Sequence, residues 1–413
     1  MTLQALSLCI LLGIALVVCQ AGCARNHRVS NGHGGSDEKN KLVCYYTNWA
    51  QYRPGKGAFF PEDIDADLCT HIHYGFAIIV DGLLAPFEWN DDDTPWSEGM
   101  YTRVNKLKQK NPALKTMLSV GGWNMGTKNW TLMVQDTSSR QKFIQNAIPF
   151  LRQRNFDGLD LDWEYPGSRG SPPEDKFKFT YLVQELLIAF DNEPRPSGTP
   201  RLLLSAAVAA GKDTIDAGYQ VASISKELDY IVLMTYDFFG AWDPVTGHNS
   251  PLYKADDSTS ELNQYFNVDY ASHYWVDEGC PKDKLYIGLA TYGRSFTLRD
   301  ESDSGRGAPA SGAGIAGTYT REAGFLSYYE VCEMIIAGAR MEFLEDQRVP
   351  YLVLGNQWVG YENKTSIGEK ISYIQDNDFA GGMVWDYDLD DFDGEFCGKG
   401  RYPLISLISQ SLL

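Results

Sequence analysis

Positive charge is scarce in this chain. Its 36 Lys and Arg stand against 54 Asp and Glu, a formal net charge of −18. Such a surface repels nucleic acid and anionic membranes, which excludes both as partners, but it is compatible with an uncharged polymer. No stretch after residue 24 is apolar enough to span a bilayer, which takes about 20 residues. No G-x-G-x-x-G follows the first β-rich run, so an open dinucleotide-binding sheet is disfavoured. His71 and His73 lie on a buried-looking strand without metal-ligand companions and read as packing residues. No internal repeat is present.

Composition is otherwise that of a globular protein: 44% hydrophobic, 22% charged and 13% aromatic, with 10 Trp and 24 Tyr. The aromatics suit a core, and equally suit stacking on flat apolar ligand faces. Leu3 to Val18 is a short apolar run followed by the small residues Ala21, Gly22, Cys23 and Ala24. We read residues 1–24 as a secretory signal peptide, although it lacks the usual positive n-region. Residues 25–40, RNHRVSNGHGGSDEKN, read as a flexible leader. Beyond the signal, Cys44, Cys69, Cys280, Cys332 and Cys397 remain, most of which should pair in an oxidising compartment. The sequons at Asn129 and Asn363 are compatible with glycosylation outside the cell.

From Lys41 to Leu413 a rhythm of β-rich runs alternates with helix-like stretches. The runs are 42–49, 71–79, 115–122, 158–165, 202–210, 230–237, 285–293 and 381–388. Segments such as Arg140–Arg154 and Asp175–Asp191 carry apolar residues at helical spacing. Eight strands alternating with helices predict an α/β fold, a closed parallel (β/α)8 TIM barrel. The gap between the seventh and eighth runs exceeds what one helix needs, so residues 297–358 are expected to form a small inserted α+β domain. Its Gly/Ala-rich start, SDSGRGAPASGAGIAG, reads as a loop.

The chemistry concentrates in Asp157-Gly158-Leu159-Asp160-Leu161-Asp162-Trp163-Glu164. On a strand, Asp160, Asp162 and Glu164 share one face while Leu159, Leu161 and Trp163 share the other. With the apolar face against surrounding helices, the acids point into the barrel lumen. Stacked carboxylates repel one another and hold at least one proton near neutrality, as general acid catalysis requires. A half-exposed acidic strand or a divalent-metal site would use similar residues, but a central parallel-barrel strand fits the first poorly.

This segment resembles the signature of the family-eighteen glycoside hydrolases, the chitinases and chitinase-like lectins, and is most similar to secreted animal chitinases. Supporting motifs are Ser119-Val120-Gly121-Gly122-Trp123, Met234-Thr235-Tyr236-Asp237, Gly247-His248-Asn249-Ser250-Pro251-Leu252, Tyr292-Gly293-Arg294-Ser295-Phe296 and Gly382-Met383-Val384-Trp385. The resemblance implies a (β/α)8 barrel with a small α+β insertion after the seventh strand. It also implies a substrate-assisted, retaining hydrolysis of β-1,4-linked N-acetylglucosamine polymers, with no cofactor and no metal. Glu164 would be the acid, Asp162 would hold the acetamido group, Asp160 would modulate the shared protons and Tyr236 would orient the acetamido oxygen. Asp237 and Arg294 would contact sugar hydroxyls. Trp385 would floor the cleft, with Tyr45, Phe76, Trp123, Met234, Tyr292 and Met383 lining it and Trp49 and Trp242 farther out. The pairs Cys44–Cys69 and Cys332–Cys397 match family disulfides, and Cys280 has no assigned counterpart. The chain departs from the family at Phe239, usually His, and Ala290, usually Pro, both expected beside the cleft. A chitin-binding lectin and an endo-β-N-acetylglucosaminidase are the alternatives. The protein is expected to act as a secreted, extracellular monomer on chitin or chitooligosaccharides.

Overall fold

A computed structural model describes residues 41–256 and 264–413. The expected signal peptide and leader lie outside the described residues. The chain opens with β1 (Lys41–Thr47), β2 (His71–Val80), a short β3 (Leu83–Ala85) folded back on β2, and β4 (Lys115–Gly121). It continues with β5 (Gly158–Asp162), β6 (Leu203–Val208), β7 (Tyr230–Leu233) and β8 (Leu285–Ala290). Six more strands follow, β9 (Tyr292–Leu298), β10 (Ala310–Ala313), β11 (Phe325–Ser327), β12 (Arg340–Leu344), β13 (Val349–Leu354) and β14 (Gln357–Gly360), before β15 (Gly381–Trp385).

Strands β1, β2, β4, β5, β6, β7, β8 and β15 pair in parallel, and β1 pairs with both β2 and β15. The sheet therefore closes, and the predicted barrel is what forms. Closure leaves no edge strand among the eight, which is one physical reason such short strands hold together.

Alternation along the strands sorts the core into two layers. Leu42, Cys44 and Tyr46 of β1 pack outward with Leu159, Leu161 and Trp163 among the helices. Val43 and Tyr45 face inward with Met117, Tyr230, Val232, Tyr286 and Met383. Trp163 stacks flat on Trp130, ring centroids 5.2 Å apart, and meets Phe179 edge-on. The helices Thr137–Gln153 and Asp175–Asn192 lie within three residues of their predicted bounds. The first is capped by Asp136, whose side chain accepts from the Ser139 backbone N–H.

Between β8 and β15 the chain forms a six-stranded antiparallel sheet in the order β10-β9-β14-β13-β12, with β11 against β9. It begins at Tyr292 and ends at Gly360, wider than the predicted 297–358. The single run expected at 285–293 is two strands, because the chain leaves the barrel after Ala290 and β9 starts the second sheet two residues later. The Gly/Ala tract, expected as loop, contributes β10. Cys44–Cys69 and Cys332–Cys397 are disulfide-bonded, and Cys280 is free and buried. The first bridge ties β1 to the lead-in of β2; the second ties the helix Tyr328–Ile336 to the chain beyond β15. No helix among the described residues is long and apolar enough to cross a membrane.

Candidate active site

The acids of β5 enter the lumen as their parity requires. Asp157, the first acid of the motif, stays at the opposite end, where its carboxylate accepts from the Thr116 N–H at 2.8 Å and from Lys108 at 3.0 Å. Asp160 is fully buried and accepts from the hydroxyls of Tyr45, Ser119 and Ser205, each at 2.7 Å. His73 Nδ1 lies 3.3 Å from the same carboxylate, and His73 Nε2 meets the Tyr230 hydroxyl at 2.7 Å. Burial pushes the Asp160 pKa up, but the neighbouring His73 ring, with the Ser205 and Tyr45 hydroxyls, outweighs it; the net direction is below the ordinary carboxylate value.

One step up the same face, Asp162 is buried and its Oδ1 has no hydrogen-bond partner. Burial, then the charges of Glu164 and Asp160, hold its pKa well above the usual carboxylate range. Regular pairing ends at Asp162, so Glu164 lies two residues beyond β5 instead of inside the strand. Glu164 is half-buried, and desolvation brings its pKa up to about 7. Asp237 pushes in the same direction, while a Tyr165 hydrogen bond and Arg169 oppose it. The result is a stack of one ionised acid and two proton-holding ones. Backbone packing permits it: a Cβ on Gly121 would fall 2.0 Å from the Asp162 carbonyl oxygen, and Gly121 adopts φ +119°.

Tyr236 is buried in the inner layer, its hydroxyl 3.7 Å from the Met383 sulfur. Asp237 follows at φ +57°, a left-handed conformation that a non-glycine residue keeps only when held. It is held: its N–H donates to Asn249 Oδ1 at 2.9 Å, and its carboxylate takes a two-pronged Arg294 contact at 2.7 and 2.8 Å plus the Tyr292 hydroxyl at 2.7 Å. Tyr292 and Arg294 come from β9, so the second sheet supplies one wall of the site.

Trp385, at the end of β15, meets Tyr45 at 5.2 Å, stacks with Phe76 at 5.9 Å and reaches Trp49 at 6.4 Å. Met234 and Met383 pack with this inner layer. Trp123 and Trp242 stand apart from that floor, 57% and 59% exposed. Each carries an arginine over its ring, Arg169 at 3.3 Å for Trp123 and Arg294 at 5.2 Å for Trp242. The peptide bonds Gly75–Phe76, Glu164–Tyr165 and Trp385–Asp386 are cis.

Ala290 is buried in the inner layer as expected beside the cleft, but Phe239 is not. It packs on Phe266 at 5.9 Å with the outer core, because Gly247 leaves room for its ring there. His73 is buried, as predicted, yet it is a polar link between Asp160 and Tyr230 and not apolar filling. Sequence reasoning quoted Ser119 only as part of a motif, with no role, and passed over Ser205 and Tyr230. A signal existed: Ser119 and Ser205 are the hydroxyls at inward parity in mostly apolar runs. Arg169 had no comparable signal. Asn129 is exposed and its side-chain amide donates to the Ile79 carbonyl, while Asn363 caps the helix Lys364–Asp376. Among the described residues no group of three or more His, Cys, Asp and Glu is arranged to hold a metal ion.

Comparison with known proteins meets this geometry. Residues 41–390 match the glycosyl hydrolases of family 18. Mouse chitotriosidase-1 is 48% identical over 372 residues, covering 90% of this chain and 78% of that protein. An immunomodulatory active chitinase from Trichuris suis superposes with a TM-score of 0.87 at 46% identity, covering 91% of this chain and all of that one. Human YKL-39, a pseudo-chitinase with retained chitooligosaccharide binding, superposes at 0.85 with 43% identity over 90% of this chain and 99% of its own.

Proposed function

The chain belongs to glycosyl hydrolase family 18, and from that premise we propose that it is a secreted chitinase, cleaving β-1,4 linkages of N-acetylglucosamine polymers. The observation that carries this reading is the state of Glu164, a half-buried carboxyl with a pKa near 7, set above a second proton-holding carboxyl on the lumen face. A group that is protonated below neutrality and reaches the cleft can deliver its proton to a glycosidic oxygen.

The other roles follow from position. The unpartnered Oδ1 of Asp162 is a desolvated acceptor waiting for a donor, which the acetamido N–H of a bound sugar supplies. With that group held, its carbonyl oxygen attacks the anomeric carbon as Glu164 protonates the leaving oxygen, and no enzyme carboxylate is needed as nucleophile. Asp160, ionised and anchored by three hydroxyls and His73, fixes the charge beneath and keeps the proton on its neighbours. Tyr236 orients the acetamido oxygen from the far side of the cleft. Asp237 and Arg294 present polar atoms to sugar hydroxyls. Trp385, with Tyr45 and Phe76 behind it, offers an apolar face for the pyranose ring. The second sheet, which brings Tyr292 and Arg294, is read as the small α+β insertion of this family.

A second reading, a chitooligosaccharide-binding protein without turnover, is favoured by the likeness to YKL-39. Wild type and Glu164→Gln tested on chitooligosaccharides separate the two. Turnover by wild type, lost in the variant while binding persists, supports the hydrolase; binding by both without turnover supports the lectin-like reading. Secretion as a monomer, with residues 1–24 removed and glycans at Asn129 and Asn363, completes the proposal; the two disulfides support the extracellular part of it.

A further inference from the structure

Arg169 joins two segments that are far apart in sequence. Its side chain is solvent-exposed, and among the described residues its guanidinium bonds to backbone and not to a carboxylate. Its guanidinium instead donates to two backbone carbonyls, Glu164 O at 2.8 Å and Trp123 O at 3.2 Å. The same group lies flat over the Trp123 ring, 3.3 Å from its centroid. The backbone takes φ +50° at Arg169, between Gly167 at +68° and Gly170 at +90°. Its carbonyl is held by the buried Thr127 hydroxyl at 3.1 Å. A long side chain gives up rotamer freedom to reach this geometry, and a non-glycine residue accepts a left-handed backbone for it.

Two elements meet at this residue. One is the segment after β5 that bears Glu164; the other is the turn Trp123–Met125 after β4, which offers an exposed indole between the positive-φ glycines Gly122 and Gly126. The backbone freedom of those glycines would let the turn pivot if nothing held its side chain. The planar, forked guanidinium is suited to stop it, since it can bond two carbonyls and cover an aromatic face at once.

We propose that Arg169 is a positioning residue that clamps Trp123 to the Glu164 segment, so that one indole face is closed and the other is held as a sugar platform at a set distance from the acid. The proposal rests on the reading of Glu164 as the acid and of Trp123 as a sugar contact. It assigns a specificity role to a residue that touches neither the reacting atoms nor the floor of the cleft.

The test is a double-substitution cycle on the full chain. Oligosaccharide binding is measured by calorimetry in the Glu164→Gln background, and KM and kcat are measured in the otherwise wild-type enzyme. Arg169→Ala should weaken binding of N-acetylglucosamine tetramer to hexamer roughly three- to tenfold, mostly in KM. Arg169→Lys should restore little, because an ammonium cannot fork between the carbonyls. Arg169→Gly, which relieves the backbone, should lose as much as Ala. After Trp123→Ala, removing Arg169 should cost less than about twofold more. Loss of the cation should also move the alkaline limb of activity to higher pH. Effects of the two sites that simply multiply, full rescue by Lys, or unchanged binding in Arg169→Ala would overturn the clamp. If wild type binds but does not cleave, the hydrolase reading fails and the binding cycle still decides the clamp. If wild type does neither, both fall.

Discussion

The Tyr45 hydroxyl donates to Asp160 Oδ2 across the barrel lumen at 2.7 Å, while the Tyr45 ring tilts against Trp385 at 5.2 Å. One side chain thus joins the acid stack to the aromatic floor. Tyr45→Phe keeps the ring contact and deletes the donor. It should destabilise the fold by about 1.5–3 kcal/mol, since the bond is to a charged group. It should also raise the Asp160 pKa, so the acidic limb of the pH–rate profile moves upward. A profile coincident with wild type would mean that the Tyr45 bond does not tune the stack.

Glu164 sets the other limb. An acid with a pKa near 7 must be protonated to act, so kcat/KM should fall as pH rises through about 7. The same shift has a stability sign. Between the ordinary value, 4.5, and about 7 the folded protein holds a proton that the unfolded chain has released, so stability declines as pH rises across that window. Glu164→Gln should therefore abolish hydrolysis, a loss of ~10²- to 10⁴-fold or more, yet show a higher Tm than wild type at pH 8. Thermal melts at pH 5 and 8 beside initial rates check both halves.

Substrate assistance is tested on partially deacetylated chitosan. If the acetamido oxygen is the nucleophile, every new reducing end carries N-acetylglucosamine and never free glucosamine. Mass-spectrometric sequencing of product ends reads this directly. A substantial share of glucosamine at those ends would make a carboxylate, Asp162 first, the nucleophile. Anomeric configuration alone would not distinguish them, because both routes retain it.

Removing either disulfide should cost roughly 2–4 kcal/mol, mainly through the unfolded chain. Burial raises the Cys280 thiol pKa to about 11, so it should resist alkylation in the native protein at pH 8 and react on unfolding. Non-reducing peptide mapping with and without denaturant measures Cys44, Cys69, Cys280, Cys332 and Cys397 together. Native labelling of Cys280 at the rate of an exposed thiol would contradict the buried placement.

Much of this architecture was legible from periodicity. The parity of Leu159, Leu161 and Trp163 against Asp160 and Asp162 determined which side of β5 met the helices, because a period of two leaves no third choice. The break between Ala290 and Tyr292 was not legible. Both sides of it are apolar and β-prone, and only the tertiary path decides that one strand closes a barrel while the next starts another sheet. Polar partners were hidden for a different reason. A buried histidine on an apolar strand looks the same in sequence whether or not a carboxylate lies 3.3 Å from its ring. Phe239 went astray similarly: nothing local says that Phe266, distant in sequence, will draw its ring outward. Arg169 reaches Trp123 from 46 residues away, beyond any short-range pattern.

Regular pairing stops at Asp162, and Glu164 hangs just past the last rung. Its side chain supports no strand register, and its backbone is already outside the ladder. On the reading of Glu164 as the acid, an inherited change at this one position would silence the chemistry while the scaffold and both bridges pass on unharmed. A lineage built this way can turn a degrading enzyme into a sensor of the same sugar, and does not have to invent a new protein to do so.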